Sequence, residues 1–268
     1  MSYPVPQTGP PKSPRETLPT MYDLPSENPE EPGLPDEFHD LQPQLLSLTF
    51  VPPEVPPSQL YTASDLNFYY DVRHPQWYKR PDWFAVVGVS RLYDEVDLRL
   101  SYVVWQEGVN PFVVVELLSP GTESEDLGGE ETEGNGRIVL AKPPRKWDVY
   151  EKILRVPYYV VFSHYTNQLR VFRLVTGNYQ ESVLETPGLW MPEIGLGLGI
   201  WHGEFLGIRR VWLRWYDAQG EWLLTPEERE RQRTQWERQR ADSAQAQLEL
   251  LKQQLRDAGI DPDRDNQQ

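Results

Sequence analysis

Apolar runs set between prolines organise this chain. Phe112-Val113-Val114-Val115 is unbroken by any polar side chain, follows Pro111, and runs into Glu116-Leu117-Leu118-Ser119-Pro120. A short Val-rich run of this kind predicts a strand covered on both faces in the middle of a sheet. Asp82-Trp83-Phe84-Ala85-Val86-Val87-Gly88-Val89, behind Arg80-Pro81, reads as a second such strand with its carboxylate at the start. Leu98 to Trp105 and Tyr158 to Phe162 are further candidates, and the aromatic stretch Leu60 to Tyr70 fits a strand or a wrapping loop. Gln168 to Val175 and Tyr179 to Glu185 flank Thr176-Gly177-Asn178, a hairpin signal. Leu196 to Trp201 and Trp212 to Trp215 predict short strands, with Asp217 to Gly220 turning the second into Glu221 to Leu224.

Three segments carry helical spacing instead. Phe38, Leu41, Leu45 and Leu48 fall on one helical face, with Pro43 inside it as a start or a kink. Trp147, Val149, Tyr150, Ile153 and Leu154 predict an amphipathic helix that ends before Pro157. Thr225-Pro226-Glu227-Glu228 has the N-cap Thr, the first-turn Pro and the Glu of a capping box, opening a charged helix to about Ala258 and a stop at Gly259. Ala244, Leu248, Leu251, Leu255 and Ala258 on that helix form a short heptad seam, suited either to self-association or to a solvated tail.

Composition narrows the class. The chain has 268 residues, with 26 Pro and 10 Trp. Residues 1–35 are Pro-rich and poor in apolar side chains, which predicts an extended or disordered arm. Four prolines between Pro52 and Pro57 form a linker, and residues 121–137 are acidic and Gly-rich, as a mobile loop would be. The expected organisation is an arm over 1–35, one α/β domain over 36–224, and a C-terminal helix over 225–268. No apolar run approaches the length of a membrane span, so no membrane helix is expected, and no secretory leader is expected either. The absence of cysteine excludes disulfides, thiolate metal sites and cysteine nucleophiles, and fits a cytoplasmic protein. A net charge of −15 argues against broad coating of nucleic acid, though not against a local basic cleft.

Candidate chemistry lies at the ends of the two buried-type strands. A central strand has no water to offer Glu116, so its carboxylate must be paired, metal-bound or protonated, unless it reaches solvent or a Lys at the strand's end. Asp82 follows Pro81; it could meet Glu116 if the strands are neighbours, or simply pair with Arg80. Two such carboxylates suit Mg²⁺ or Mn²⁺, and Lys146 is the candidate for orienting water or offsetting charge. The four histidines are scattered without metal-ligand spacing, so no zinc site is expected.

Lys79-Arg80-Pro81-Asp82 before a Val-rich strand, Val-Val-Val-Glu116-Leu-Leu-Ser119-Pro120, then Asp126, Lys146, Tyr150 and Tyr158-Tyr-Val-Val resemble the Uma-type family, labelled as endonucleases by inference. That family lies within the PD-(D/E)XK restriction-endonuclease-like superfamily, and the resemblance spans roughly residues 35–205. It implies a restriction-endonuclease-like α/β core, a central mixed sheet flanked by helices, to which the residues themselves add β-hairpins and the C-terminal helix. It also implies a metal site made by Asp82, Glu116 and the main-chain carbonyl of Leu117, with DNA as the substrate and Mg²⁺ or Mn²⁺ as the cofactor. The superfamily's Lys two residues after the acid is replaced by Leu118, and Lys146 is the residue that could fill its space. Glu37 is the nearest match to a third acid from an early helix, and a poor one. The contrasting reading is a non-catalytic binding module on the same fold, with contacts through the arm and the C-terminal helix.

Overall fold

The computed structural model describes residues 36–119, 123–127 and 143–258. The expected arm over 1–35, most of the acidic loop and the helix stop at Gly259 lie outside the described residues. In chain order the elements are α1 (Glu37–Thr49), β1 (Leu60–Ala63), β2 (Phe68–Tyr69), β3 (Tyr78–Lys79), β4 (Trp83–Val87), β5 (Tyr102–Val103), α2 (Val104–Glu107), β6 (Val113–Leu117), α3 (Glu123–Asp126), α4 (Lys146–Asp148), β7 (Tyr158–Ser163), β8 (Gln168–Val175), β9 (Asn178–Glu181), β10 (Gly188–Met191), β11 (Leu196–Phe205), β12 (Ile208–Tyr216) and α5 (Pro226–Asp257).

Six strands form the main sheet in the order β1-β4-β6-β7-β8-β9. β6 pairs antiparallel with β4 and parallel with β7, so the sheet is mixed. Every residue of β6 is buried, as its unbroken apolar run predicts. Alternation along the strands then sorts the two faces. Phe84, Val86, Val114, Tyr159 and Val161 pack on one side with Val149, Tyr150 and Leu154 from the segment that begins at α4. On the other side α1 covers the sheet: Phe38 meets Phe162, Phe50 meets Trp83, and the Trp83 indole donates to Ser47 Oγ at 2.8 Å.

A second sheet, β10-β11-β12, is tied to α1 by a polar device that hydrophobic spacing does not reveal. Gln42 is fully buried; its Nε2 donates to the Leu213 carbonyl at 2.9 Å and its Oε1 accepts from Leu213 N–H at 2.8 Å. One amide side chain thereby pairs with β12 as a neighbouring strand would. The buried face of α1 is Phe38, Gln42, Pro43, Leu45, Leu46 and Thr49, with Asp36 as N-cap, and Leu48 points outward. Pro43 sits inside this helix rather than starting it.

Several expectations need correction. Leu98 to Trp105 is not one strand: Tyr102–Val103 alone is extended, Val104 to Glu107 is helical, and Leu98 and Leu100 are exposed. Tyr102 is buried in the core, whereas Leu98 and Leu100 lie at the surface. The short strands at 196 and 212 are parts of one long hairpin, because Leu206-Gly207 turns with positive φ at both positions. The turn after Tyr216 forms, the Asp217 N–H donating to the Glu221 carbonyl at 2.9 Å, but residues 221–224 are not one of the strands. The hairpin at Thr176-Gly177 forms as its turn residues predict, with φ of 51° and 95°. The helix after Pro144 begins with one α turn and widens at once, the Leu154 N–H donating to the Val149 carbonyl five residues back at 2.9 Å. Its Ile153 is exposed.

The chain divides into a unit that ends at Glu221 and one that starts at Trp222. The second is essentially α5. Thr225 and Glu228 complete the capping box there, Thr225 Oγ1 accepting from Glu228 N–H at 3.2 Å and Glu228 Oε2 from Thr225 N–H at 2.7 Å. Leu248 and Leu251 of the heptad seam are exposed. No helix among the described residues is long and apolar enough to cross a membrane.

Candidate metal and nuclease site

Antiparallel pairing of β4 with β6 brings two carboxylates to one sheet end. Asp82 lies one residue before Trp83, whose partner is Val115, and so arrives opposite Glu116. The Asp82 N–H donates to Glu116 Oε2 at 3.3 Å, and Asp82 Oδ2 accepts from the Leu117 N–H at 2.6 Å. Asp82 therefore does not pair with Arg80, which bonds Asp65 instead at 2.9 Å. Asp82 is half-buried, whereas Glu116 is 0 % exposed. The alternative in which Glu116 reaches solvent at the strand's end does not hold.

Lys146 and Tyr150 reach Glu116 from the opposite element. They are four residues apart and so project from one side of the helical segment. Lys146 Nζ donates to Glu116 Oε2 at 2.8 Å and lies 3.3 Å from Asp126 Oδ1, and the Tyr150 hydroxyl donates to Glu116 Oε1 at 2.8 Å. Lys146 is thus an ion-paired side chain rather than a solvated one, with 20 % exposure. α3 steadies this arrangement: Glu125 Oε1 accepts from the Lys146 N–H at 3.2 Å and from Lys79 Nζ, and the Asp126 carbonyl accepts from the Tyr159 hydroxyl at 2.8 Å.

Burial dominates the electrostatics. It pushes the Glu116 carboxyl up to about 7 despite the Lys146 ammonium, with Asp82 adding to the rise. Burial likewise raises the Asp82 carboxyl. For Lys146, burial opposes the charge, but Glu116, Asp126 and Asp82 outweigh it and hold the ammonium well above its ordinary range. Tyr150 is pushed well up by burial and by Glu116, so it remains a hydroxyl donor. Between about pH 4.5 and 7 the folded state keeps a proton on Glu116 that the unfolded chain has released. Stability of the metal-free protein therefore falls as pH rises through that window. Thermal melts in EDTA should show a lower midpoint at pH 8 than at pH 6, and the difference should shrink in Glu116→Gln.

The donor set fits a hard divalent cation. Glu116 and Asp82 carry charge that burial disfavours, Asp82 Oδ1 makes no hydrogen bond among the described residues, and the Leu117 carbonyl follows Glu116 in β6. These are oxygen ligands of the kind Mg²⁺ and Mn²⁺ accept, with water completing the shell. Among the described residues no three His, Asp or Glu side chains are gathered as a ready metal cluster, so the protein would supply two carboxylates and a carbonyl. Glu37, on the exposed side of α1, takes no part.

The sequence reading passed over His39. Its Nε2 stands 3.0 Å from the Leu117 carbonyl oxygen and 3.4 Å from Ser119 Oγ, and its Nδ1 stands 2.9 Å from Asp36 Oδ1. Asp36 and His39, three residues apart before an apolar helical face, were the available signal; a search for paired histidines misses it. The part played by Tyr150 as Glu116's hydroxyl donor was equally invisible.

The sequence model of the Uma2 family, described as "Putative restriction endonuclease", matches residues 14–208, which include every residue of this site. No curated protein matches the chain. With a mixed sheet of restriction-endonuclease type and a match over most of its length, the chain belongs to the Uma2 family and has, at the level of that family, a nuclease-like function.

Proposed function

We propose that the protein is an endonuclease that hydrolyses phosphodiester bonds in DNA with Mg²⁺ or Mn²⁺. The observation that carries this reading is the meeting of Asp82, Glu116 and Lys146 at one end of β4 and β6. In it Asp82, Glu116 and the Leu117 carbonyl hold the cation. When bound, the cation supplies positive charge to the phosphoryl oxygens and lowers the pKa of a water. Tyr150 fixes the Glu116 carboxylate through its Oε1, leaving Oε2 to face the Lys146 ammonium. Lys146, held protonated, offers N–H donors to the negative charge that develops on the phosphoryl group.

The opposing reading is a binding module without catalysis. Its support is the ion pairing of Lys146 with both Glu116 and Asp126, which holds the cluster together without a cation. Calorimetric titration of Mn²⁺ with a plasmid-nicking assay separates the two. Asp82→Asn keeps an acceptor for the Leu117 N–H and removes the charge. A nuclease predicts Mn²⁺ binding and nicking in the wild type, with both reduced at least ~10-fold in Asp82→Asn. A wild type that binds no Mn²⁺ and nicks no plasmid leaves the binding-module reading.

A further inference from the structure

In a chain of net charge −15, cations readily find carboxylates. Around the site Lys146 pairs with Glu116 and Asp126, Lys79 with Glu125, and Arg80 with Asp65. Arg210 is half-buried and pairs with no carboxylate among the described residues. Burial pulls its guanidinium below the ordinary range, and the more distant charge of Asp36 offsets that only in part. Asp36 is already engaged elsewhere. Its Oδ1 accepts from the Phe38 N–H at 2.9 Å and the His39 N–H at 3.2 Å and stands 2.9 Å from His39 Nδ1, while Oδ2 stands 3.1 Å from His164 Nε2.

Local structure fixes where Arg210 sits. It lies two residues before Trp212 on β12, so the two side chains share a face of the strand. The guanidinium carbon lies 4.3 Å from the Phe38 ring centroid and 5.5 Å from that of Trp212, and the two rings are stacked at 5.5 Å. Aromatic faces hold the planar cation without using its N–H donors. Nη2 donates to His164 Nδ1 at 3.1 Å, because an arginine only donates. The Nε and Nη1 hydrogens have no partner among the described residues. His164 directly follows β7, which runs parallel to β6 with Phe162 opposite Leu117. Arg210 is thereby brought to the end of the sheet that carries the Leu117 carbonyl. His39 lies between, its Nε2 3.0 Å from that carbonyl oxygen and its ring centroid 6.3 Å from that of His164.

We infer that Arg210 contacts a backbone phosphate of DNA that flanks the cleaved one, on the carbonyl side of the site. Guanidinium N–H groups held in a fixed plane suit phosphate oxygens. The phosphate supplies the counter-charge that the protein withholds from this cation. Arg210 lies two residues beyond the span matched by the family, so the family label does not reach it. The inference rests on the DNA reading above and adds a contact to it.

The test is binding of a fluorescent DNA duplex to the full-length protein, followed by anisotropy with Ca²⁺ as the cation over a series of NaCl concentrations. Arg210→Met keeps an unbranched side chain against Phe38 and Trp212 and removes the charge; Arg210→Lys keeps the charge. One phosphate contact contributes about 0.9 to the slope of log affinity against log salt. The expected result in Arg210→Met is a slope shallower by about 0.9 and an affinity about 8-fold weaker near about 0.1 M salt. Arg210→Lys should restore the slope. A merely structural Arg210 would leave the slope alone. A second measurement needs only the wild type: phenylglyoxal labelling of Arg210, mapped by mass spectrometry, should slow when the duplex is present. An unchanged slope in Arg210→Met, or labelling of Arg210 that the duplex does not slow, overturns the contact and leaves the nuclease reading standing. A wild type that binds no duplex overturns both. Duplex binding with the expected change of slope, in a wild type that nicks no plasmid, supports the contact and removes the nuclease.

Discussion

Glu116→Gln should lower plasmid nicking by about a thousandfold or more while making the metal-free protein more heat-stable at pH 8. The two effects share one cause. Glu116 sits in a strand with no access to water, where burial disfavours its charged form. A cation bound there offsets that cost, and a ligand that loses its charge forfeits stabilisation of several kcal/mol at the reacting phosphoryl group, or roughly three powers of ten in rate. Without metal the charge on the carboxylate is disfavoured by burial and offset only in part by the Lys146 ammonium. Gln retains an acceptor for the Tyr150 hydroxyl and removes the buried charge, a gain on the order of 1–3 kcal/mol above pH 7. For a domain of this size that is several degrees in melting temperature. Nicking assays and melts in EDTA at pH 6 and pH 8 check both halves. A variant with wild-type nicking removes Glu116 from the chemistry, and a variant less stable at pH 8 contradicts the electrostatic account.

Lys146→Met should act in the opposite sense on the apo protein. The ammonium is the partner of Glu116 at 2.8 Å and lies 3.3 Å from Asp126. Removing one member of a buried pair leaves the other uncompensated, a cost of about 3–5 kcal/mol before the carboxyl protonates. The melting temperature in EDTA should fall steeply, and most at high pH. Mn²⁺ should restore more of it than in the wild type, because the cation then supplies the missing positive charge. Nicking should drop about 10²- to 10³-fold even at saturating Mn²⁺, the loss expected when a donor to developing negative charge is removed. Nicking that recovers fully with metal would reduce Lys146 to a counter-ion. Differential scanning fluorimetry with and without Mn²⁺, beside the nicking assay, separates the two roles.

These outcomes concern residues that differ in how openly the chain displays them. Asp82 and Glu116 stand at the rims of apolar runs, and runs of that type announce buried strands by composition alone. The capping box at Thr225 and the turn at Thr176-Gly177 are local too, and both formed as their residue types require. Leu98 to Trp105 shows the limit of local reading. It has the apolar content of a strand, yet Leu98 and Leu100 are exposed, only Tyr102–Val103 is extended, and Val104–Glu107 is helical. Gln42 shows the same limit in reverse, a polar residue at a helical core position that is buried because one distant strand takes both of its hydrogen bonds.

The sequence by itself determined that β6 is covered on both faces and that a long capped helix starts at Thr225, while it left open whether Glu116 is buried or reaches solvent at the strand's end. The two determined features depend on neighbours within a few residues, where apolar spacing and capping chemistry act directly. The tertiary structure alone decided which groups meet. Asp82 and Glu116 are 34 residues apart, and Tyr150 reaches Glu116 across another 34. His39 stands against a carbonyl 78 residues away. No spacing rule reaches that far, because strand register and the docking of α1 set these contacts, and both are products of packing over the whole sheet.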